Sequence, residues 1–295
     1  MVHITDKCPH RNLHAVTATL ATALIHYQSP KYHEEAKTYF DTIISRNETN
    51  ITALVGIGFI LEEQQDYERA FEYFTKALGY SPGSIKILSE ASWCRVLMGD
   101  YLEGRKGLEE CLQQITSEDP QLQEVEAQVL WRIGTCIWNS NGIACSISIS
   151  GVLLTVKEES RHDRSGPYSY FMKALQINRL YAPAYTSMGI YYADISNDIA
   201  RATKCFERAF ELSSEEIEAA ERLAGMFADT QEWGYVEVIA RRVAEVDKIR
   251  SVPGKGKSWP QNAIGVVELV RIHQMFFNSV VKLTSCRMPK IMPRL

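Results

Sequence analysis

The sequence predicts an all-α chain: a superhelical solenoid of stacked antiparallel helix pairs. Three observations predict it. First, residue types recur every 34 positions, with Ala36, Ala70 and Gly104 in one column and Phe40, Phe74 and Leu108 in another. Second, Gly58, Gly134, Gly189 and Gly265 each follow an aliphatic residue or Met inside an apolar run of helical spacing. Glycine inside a helix costs about 1 kcal/mol relative to Ala, so its recurrence there points to a packing requirement. Third, the chain is 45% hydrophobic with 17 Gly and 10 Pro among 295 residues, which excludes a disordered, collagen-like or low-complexity chain.

The elements follow in order. A first helix is expected near 14–27, and its partner near 32–45 carries Ala36 and Phe40. The next pair spans about 52–63, with Gly58, and 67–79, with Ala70, Phe74 and Ala77, before Pro82 closes the unit. Helices near 86–98 and 101–115 continue the columns through Gly104 and Leu108. Gly134 places a helix near 125–138, and Phe171 and Ala174 place its partner near 166–177. Gly189 (183–194) precedes the triplet Ala202, Phe206 and Ala209 (199–212). A helix near 216–229 is followed by Val236, Ala240 and Val243 (233–247), and Gly265 marks a last helix near 260–271.

A small residue at position 8, Ala at 20, an aromatic at 24, Ala at 27 and Pro at 32 form the tetratricopeptide pattern. Positions 8, 20 and 27 lie where the two helices of a unit cross, so only small side chains fit. The phenylalanines are expected to fill the space toward the neighbouring helix. One unit cannot bury its apolar face alone, so several must stack.

The expected domain organisation is repeats over 1–140, an atypical insert at 141–160, repeats over 161–271, and an atypical tail at 272–295. Gly134 to Phe171 is 37 residues where the repeat needs 16. Its stretch 142–156 is uncharged and β-prone, and Ile143, Cys145, Ile147 and Ile149 alternate as in a strand. An all-α solenoid offers that strand no sheet, so 142–158 reads as translated non-coding sequence, which sequencing the transcript tests.

Composition narrows function by exclusion. No run of about 18 apolar residues is present, so no membrane span is expected, and the first residues lack a secretory signal's apolar stretch. Seven cysteines without a CxxC pair fit free thiols in a reducing compartment. Net charge is −4, but residues 241–295 hold +8 and residues 1–240 hold −12. Arg241, Arg242, Lys248, Arg250, Lys255 and Lys257 could meet RNA or an acidic partner, although a solvated helix end reads equally well; direct RNA contact stays undecided.

Candidate chemistry is thin. Gly254-Lys255-Gly256-Lys257-Ser258 ends like a phosphate loop, but Ser251 stands where that loop needs Gly and a helix precedes it. Cys8, His10 and His14, with His3, lack a second cysteine at zinc-finger spacing. The carboxylate pairs Glu34–Glu35, Glu62–Glu63 and Glu215–Glu216 fall at helix ends, where charge is expected to be solvated. No catalytic motif is present, so no enzyme activity, cofactor or metal is expected. In tetratricopeptide solenoids, positions 2, 5, 9 and 12 of the first helix line the peptide groove: Thr52, Val55, Phe59 and Glu62, then Lys86, Ser89, Trp93 and Val96. The candidate groove residues are Val55, Phe59, Lys86 and Trp93; burial by adjacent repeats fits Phe59 and Trp93 equally well. The Lys/Asn/Arg set of chaperone-tail clamps is absent.

Several stretches carry a narrower resemblance: Tyr181–Ala193, Phe206–Leu212, Glu218–Ala224, Ser258-Trp259-Pro260 with Gly265–Leu269, and Val129–Trp138 with Asp163–Gly166 and Tyr168. Over about 50–271, outside 142–160, the chain resembles the tetratricopeptide scaffold subunit of the superkiller complex in its fungal form. The resemblance implies an internal portion of a non-enzymatic scaffold. That family holds an RNA helicase and WD-repeat β-propeller subunits and serves the cytoplasmic exosome in 3′-to-5′ mRNA decay, in the cytoplasm, with the nucleus as a second location. The alternative is a generic peptide-binding adaptor or co-chaperone of the same repeat class.

Overall fold

The computed structural model describes residues 9–27, 29–115, 122–147 and 165–250. Twelve helices and no strand occur among the described residues. They form six antiparallel pairs: α1 (Pro9–His26) with α2 (His33–Arg46), α3 (Ile51–Glu63) with α4 (Tyr67–Tyr80), α5 (Ile85–Leu97) with α6 (Tyr101–Gln114), α7 (Gln123–Ile147) with α8 (Ser165–Ile177), α9 (Ala182–Ile190) with α10 (Ile199–Leu212), and α11 (Ile217–Asp229) with α12 (Trp233–Arg250). Each second helix also packs on the first helix of the next pair, so the pairs stack into a solenoid. First helices meet one another along one side, α1 with α3, α5 with α7, α7 with α9 and α9 with α11. They are the inner layer.

The small-residue columns sit where helices approach closest. Ala36, Ala70, Ala77, Ala174, Ala202 and Ala209 are all 0% exposed, as are Phe40, Phe74 and Phe206, with Phe171 at 2%. A Cβ built on Gly58 would lie 2.7 Å from the Phe74 ring, on Gly134 2.6 Å from Phe171, and on Gly189 2.5 Å from Phe206. The three later phenylalanines therefore pack on the glycine of their own pair; Phe40 instead meets Gly56 at the start of the next pair. Each ring thus fills space toward a neighbouring helix, within its own pair for Phe74, Phe171 and Phe206 and in the next pair for Phe40. Pro82 is exposed in the turn after α4, where a missing N–H costs nothing. Gly265 lies outside the described residues.

Four of the turns within pairs share a solution that the residue columns do not announce. Gln65, Gly99, Asn197 and Gln231 have φ of 63°, 89°, 51° and 60°. In three of these turns the next residue, Asp66, Asp100 or Asp198, accepts a hydrogen bond from the backbone N–H three residues on and caps the second helix. A non-glycine residue in the left-handed region costs about 1–2 kcal/mol. Gln65→Gly is therefore expected to raise stability by about 0.5–1 kcal/mol, after the added freedom of the unfolded chain is subtracted. Urea denaturation checks this; a lower midpoint would contradict it.

Two departures from the sequence expectations stand out. Helix α7 continues to Ile147, so the backbone at Ile143, Cys145 and Ile147 is helical, not extended; 148–164 lies outside the described residues, as do 116–121, 251–295 and the expected helix at 260–271. Helix α9 is shorter than expected and widens into a π turn at Tyr191–Ile195, where the Ser196 N–H donates to the Tyr191 carbonyl at 3.2 Å. Trp138 and Tyr168 pack on Tyr191, and the Tyr168 and Tyr192 hydroxyls are 3.0 Å apart.

Candidate binding groove

The inner layer bears two cavities that meet at α7. One, of about 400 Å³, is walled by Trp131, Thr135, Trp138, Pro183, Thr186 and Ile190, together with Asp194, Glu216 and Arg222. The first six are positions 2, 5, 9 and 12 of α7 and α9, counted with Gly134 and Gly189 at position 8. The groove register read from the two earlier repeats therefore applies to the later ones, and the same count would have found these residues. Trp131 Nε1 donates to Ser187 Oγ at 2.9 Å, and the Thr186 hydroxyl donates to Glu216 at 2.6 Å. Burial pushes the Glu216 carboxyl upward, opposed by that hydroxyl. Arg222 and Asp194 pair at 3.1 Å at the rim, both well exposed, an arrangement worth about 0–1 kcal/mol.

The other cavity, of about 290 Å³, lies among α1, α3, α5 and α7, and the turn before α11 closes it with Glu215. Its wall includes Phe59, Glu62, Glu90 and Arg132. Arg132 is 4% exposed and Glu90 7%. Arg132 Nη2 donates to Glu90 Oε2 at 2.6 Å and Nη1 to Ser89 Oγ at 2.8 Å, while Nε has no acceptor. The guanidinium also lies 5.3 Å from the centroid of the Trp93 ring. Glu90 and Arg132 each stand at position 6 of their helix, on adjacent inner helices, so stacking alone brings them together.

The four groove candidates divide. Lys86 is exposed. Val55 is half-buried against the core. Phe59 is half-buried, edge-on to Phe74 with centroids 5.4 Å apart, and still walls the smaller cavity. Trp93 is not an open groove position: it is 9% exposed, with Arg132 over its ring and the Trp131 ring centroid 5.4 Å away.

Glu62 also departs from expectation. It is not solvated at a helix end; burial and the charge of Glu90 raise its carboxyl to about 7, with Arg132 opposing the shift and Glu63 adding to it. The native carboxyl thus holds a proton that the unfolded chain releases near its ordinary value of 4.5. Native protein binds the extra proton between those values, so stability falls as pH rises through that window. Glu62→Gln is expected to flatten this decline and to be more stable than the parent at about pH 8 by on the order of 2 kcal/mol. Melts at a series of pH values check it; parallel profiles for the two proteins would refute it.

Other candidate chemistry gains no geometry. Cys8, His3 and 254–258 lie outside the described residues, as do the side chains of His10 and His14. Among the described residues no group of His, Cys, Asp and Glu is arranged to hold a metal, and no helix is long and apolar enough to cross a membrane. The described thiols of Cys94, Cys111, Cys136 and Cys205 are unbridged, and burial raises all four. Of the basic stretch, Arg241 pairs with Glu237 and Arg242 lies over Phe210 at 4.8 Å.

Comparison with known proteins places this geometry. A tetratricopeptide-repeat family model matches residues 51–84. Superkiller protein 3 of Schizosaccharomyces pombe is 34% identical over 250 residues, 85% of this chain and 16% of that protein. Superkiller protein 3 of Saccharomyces cerevisiae is 25% identical over 250 residues, 85% of this chain and 17% of that protein. The chain thus spans about one sixth of the length of these curated relatives. Among solved structures, the crystal structure of the APC/C hetero-tetramer Cut9-Hcn1 aligns with TM-score 0.59 at 13% identity, covering 89% of this chain and 44% of that one. That likeness concerns the fold.

Proposed function

We propose that this chain, a tetratricopeptide-repeat solenoid homologous to one segment of superkiller protein 3, works as part of a scaffold that holds an RNA helicase and WD-repeat propeller subunits together. The assembly would deliver mRNA to the cytoplasmic exosome for 3′-to-5′ decay. The observation that carries this reading is the 34% identity to the fission-yeast protein across 85% of the chain. The inner layer supports it physically: solenoids of this kind offer their partners an extended concave surface, and here that surface is walled by aromatic and charged side chains from successive repeats.

The scaffold reading assigns the chain no catalytic step and places it in the cytoplasm. Direct contact with RNA is not part of the scaffold reading; in the smaller cavity carboxyl side chains outnumber the one arginine, a lining that disfavours phosphate. Tagging the chain in its native cells and recovering its partners tests the proposal. Co-purification of a helicase and a propeller protein is expected; recovery of neither, or of an acidic-tailed chaperone instead, would replace it with the adaptor reading.

A further inference from the structure

The larger inner cavity has a wall with a regular spacing. Trp131 and Trp138 stand seven residues apart on α7, and Pro183 and Ile190 stand seven apart on α9. Seven residues are close to two helical turns, so each pair shares a face, its members about 10.5 Å apart along the axis. Both helices therefore offer apolar groups to the cavity at one spacing. The polar side of the cavity is largely committed. Arg222 holds Asp194 with two hydrogen bonds, Nη1 to Oδ1 at 3.2 Å and Nη2 to Oδ2 at 3.1 Å, and Glu216 accepts from the Thr186 hydroxyl. Glu218 differs: it is exposed and makes no ion pair among the described residues. The cavity thus joins an aromatic ladder to one rim carboxylate without a cation.

We infer that this cavity takes a proline-rich segment of a protein partner in the polyproline II conformation. Two prolines three residues apart lie against Trp131 and Trp138, and a Lys or Arg beside them faces Glu218. The spacing selects that conformation. Polyproline II has three residues per turn, so every third residue returns to the same face about 9.3 Å further on. An extended strand returns to one face every second residue, about 6.7 Å on, and so meets one indole but misses the other. A helix matches the spacing but not the space: at about 10–12 Å across it fills on the order of 800 Å³ over that length, and the cavity holds about 400 Å³. Aromatic grooves suit proline rings, and a chain already in polyproline II has little freedom left to lose on binding. Charge complementarity supplies the flanking residue: Glu218 favours a cation beside the prolines and disfavours the phosphates of a nucleic acid. This inference rests on the scaffold reading and adds the chemistry of the segment that the groove holds.

The test titrates the whole chain into fluorescein-labelled Gly-Arg-Pro-Ala-Ala-Pro-Arg-Gly-amide and follows anisotropy; arginine on both sides serves either chain direction. Saturable binding below about 1 mM is expected. Replacing both prolines by alanine is expected to weaken it about tenfold, and replacing both arginines by citrulline about threefold, the range of an exposed ion pair. Trp138→Ala is expected to weaken binding about tenfold. Trp138→Phe keeps an aromatic face and is expected to stay within about threefold of the parent; circular dichroism of both variants separates loss of the wall from loss of the fold. Glu218→Gln, at the exposed rim, is expected to make the arginine and citrulline peptides bind equally. Equal binding of the proline and alanine peptides, or of the arginine and citrulline peptides to the parent, would overturn the inference. So would indifference to Trp138→Ala, displacement by oligouridine, tighter binding of an alanine-based helical peptide of equal charge, or no saturation below about 1 mM. Recovery of helicase and propeller partners in the tagging experiment is read separately. Peptide failure with partner recovery removes only the proline-segment site, and partner failure with peptide success removes only the superkiller assignment.

Discussion

Phe206→Ala is expected to destabilise the chain by about 3–5 kcal/mol and to do so unevenly along its length. The ring is fully buried on α10, and its edge occupies the space that Gly189 leaves open on α9. Deleting it removes the contacts of the ring and leaves a cavity between helices that cannot collapse without shifting α9, since Ala202 and Ala209 already hold the same interface at 0% exposure. In a solenoid each unit leans only on its neighbours, so the loss falls on the α9–α10 pair and its interfaces rather than on one global core. Denaturation of the variant should therefore split into two transitions, with hydrogen exchange fast in α9 to α12 and little changed in α1 to α6. A single transition displaced by less than about 1 kcal/mol would mean that the site relaxes and that the glycine–phenylalanine pairing is not what holds this unit.

Removing Arg132 alone should be comparably damaging. Arg132→Met keeps much of the volume but leaves Glu90, 7% exposed, with its charge uncompensated and Ser89 without its donor. Breaking a buried pair from one side costs about 3–5 kcal/mol. Adding Glu90→Gln to that variant removes the stranded charge and is expected to recover most of the loss, because replacing both members of a buried pair is often neutral or better. The double-mutant cycle reads the coupling directly. If Arg132→Met costs no more than an ordinary surface change, about 0.5 kcal/mol, the pair is not the structural joint between α5 and α7 described above.

These two sites differ in how visible they were in the sequence. Phe206 and Gly189 belong to local columns, fixed by the repeat register, and the same register places Phe74 on Gly58 and Phe171 on Gly134. Arg132 and Glu90 lie 42 residues apart, and their meeting depends on how successive pairs stack, which no local pattern encodes. The groove shows the same boundary. Positions 2, 5, 9 and 12 include Phe59 and, carried one step further, Trp131, Thr135 and Trp138, all of which wall the two cavities. The count could not say that Trp93 would be covered by the arginine of the next inner helix, nor that Glu62 would be drawn out of solvent. The alternation at 143–147 misled for a related reason: apolar alternation is weak evidence when an established helix precedes it and can simply continue.

The central claim is that the inner helices grip protein partners. Hydrogen–deuterium exchange of the chain, alone and with a purified helicase–propeller pair, tests it most directly. The account predicts added protection in α3, α5, α7 and α9, strongest around Trp131 and Trp138, with the outer helices α4, α6, α8 and α10 unchanged. Protection confined to those outer helices, or none at all while the partners are bound, would contradict it.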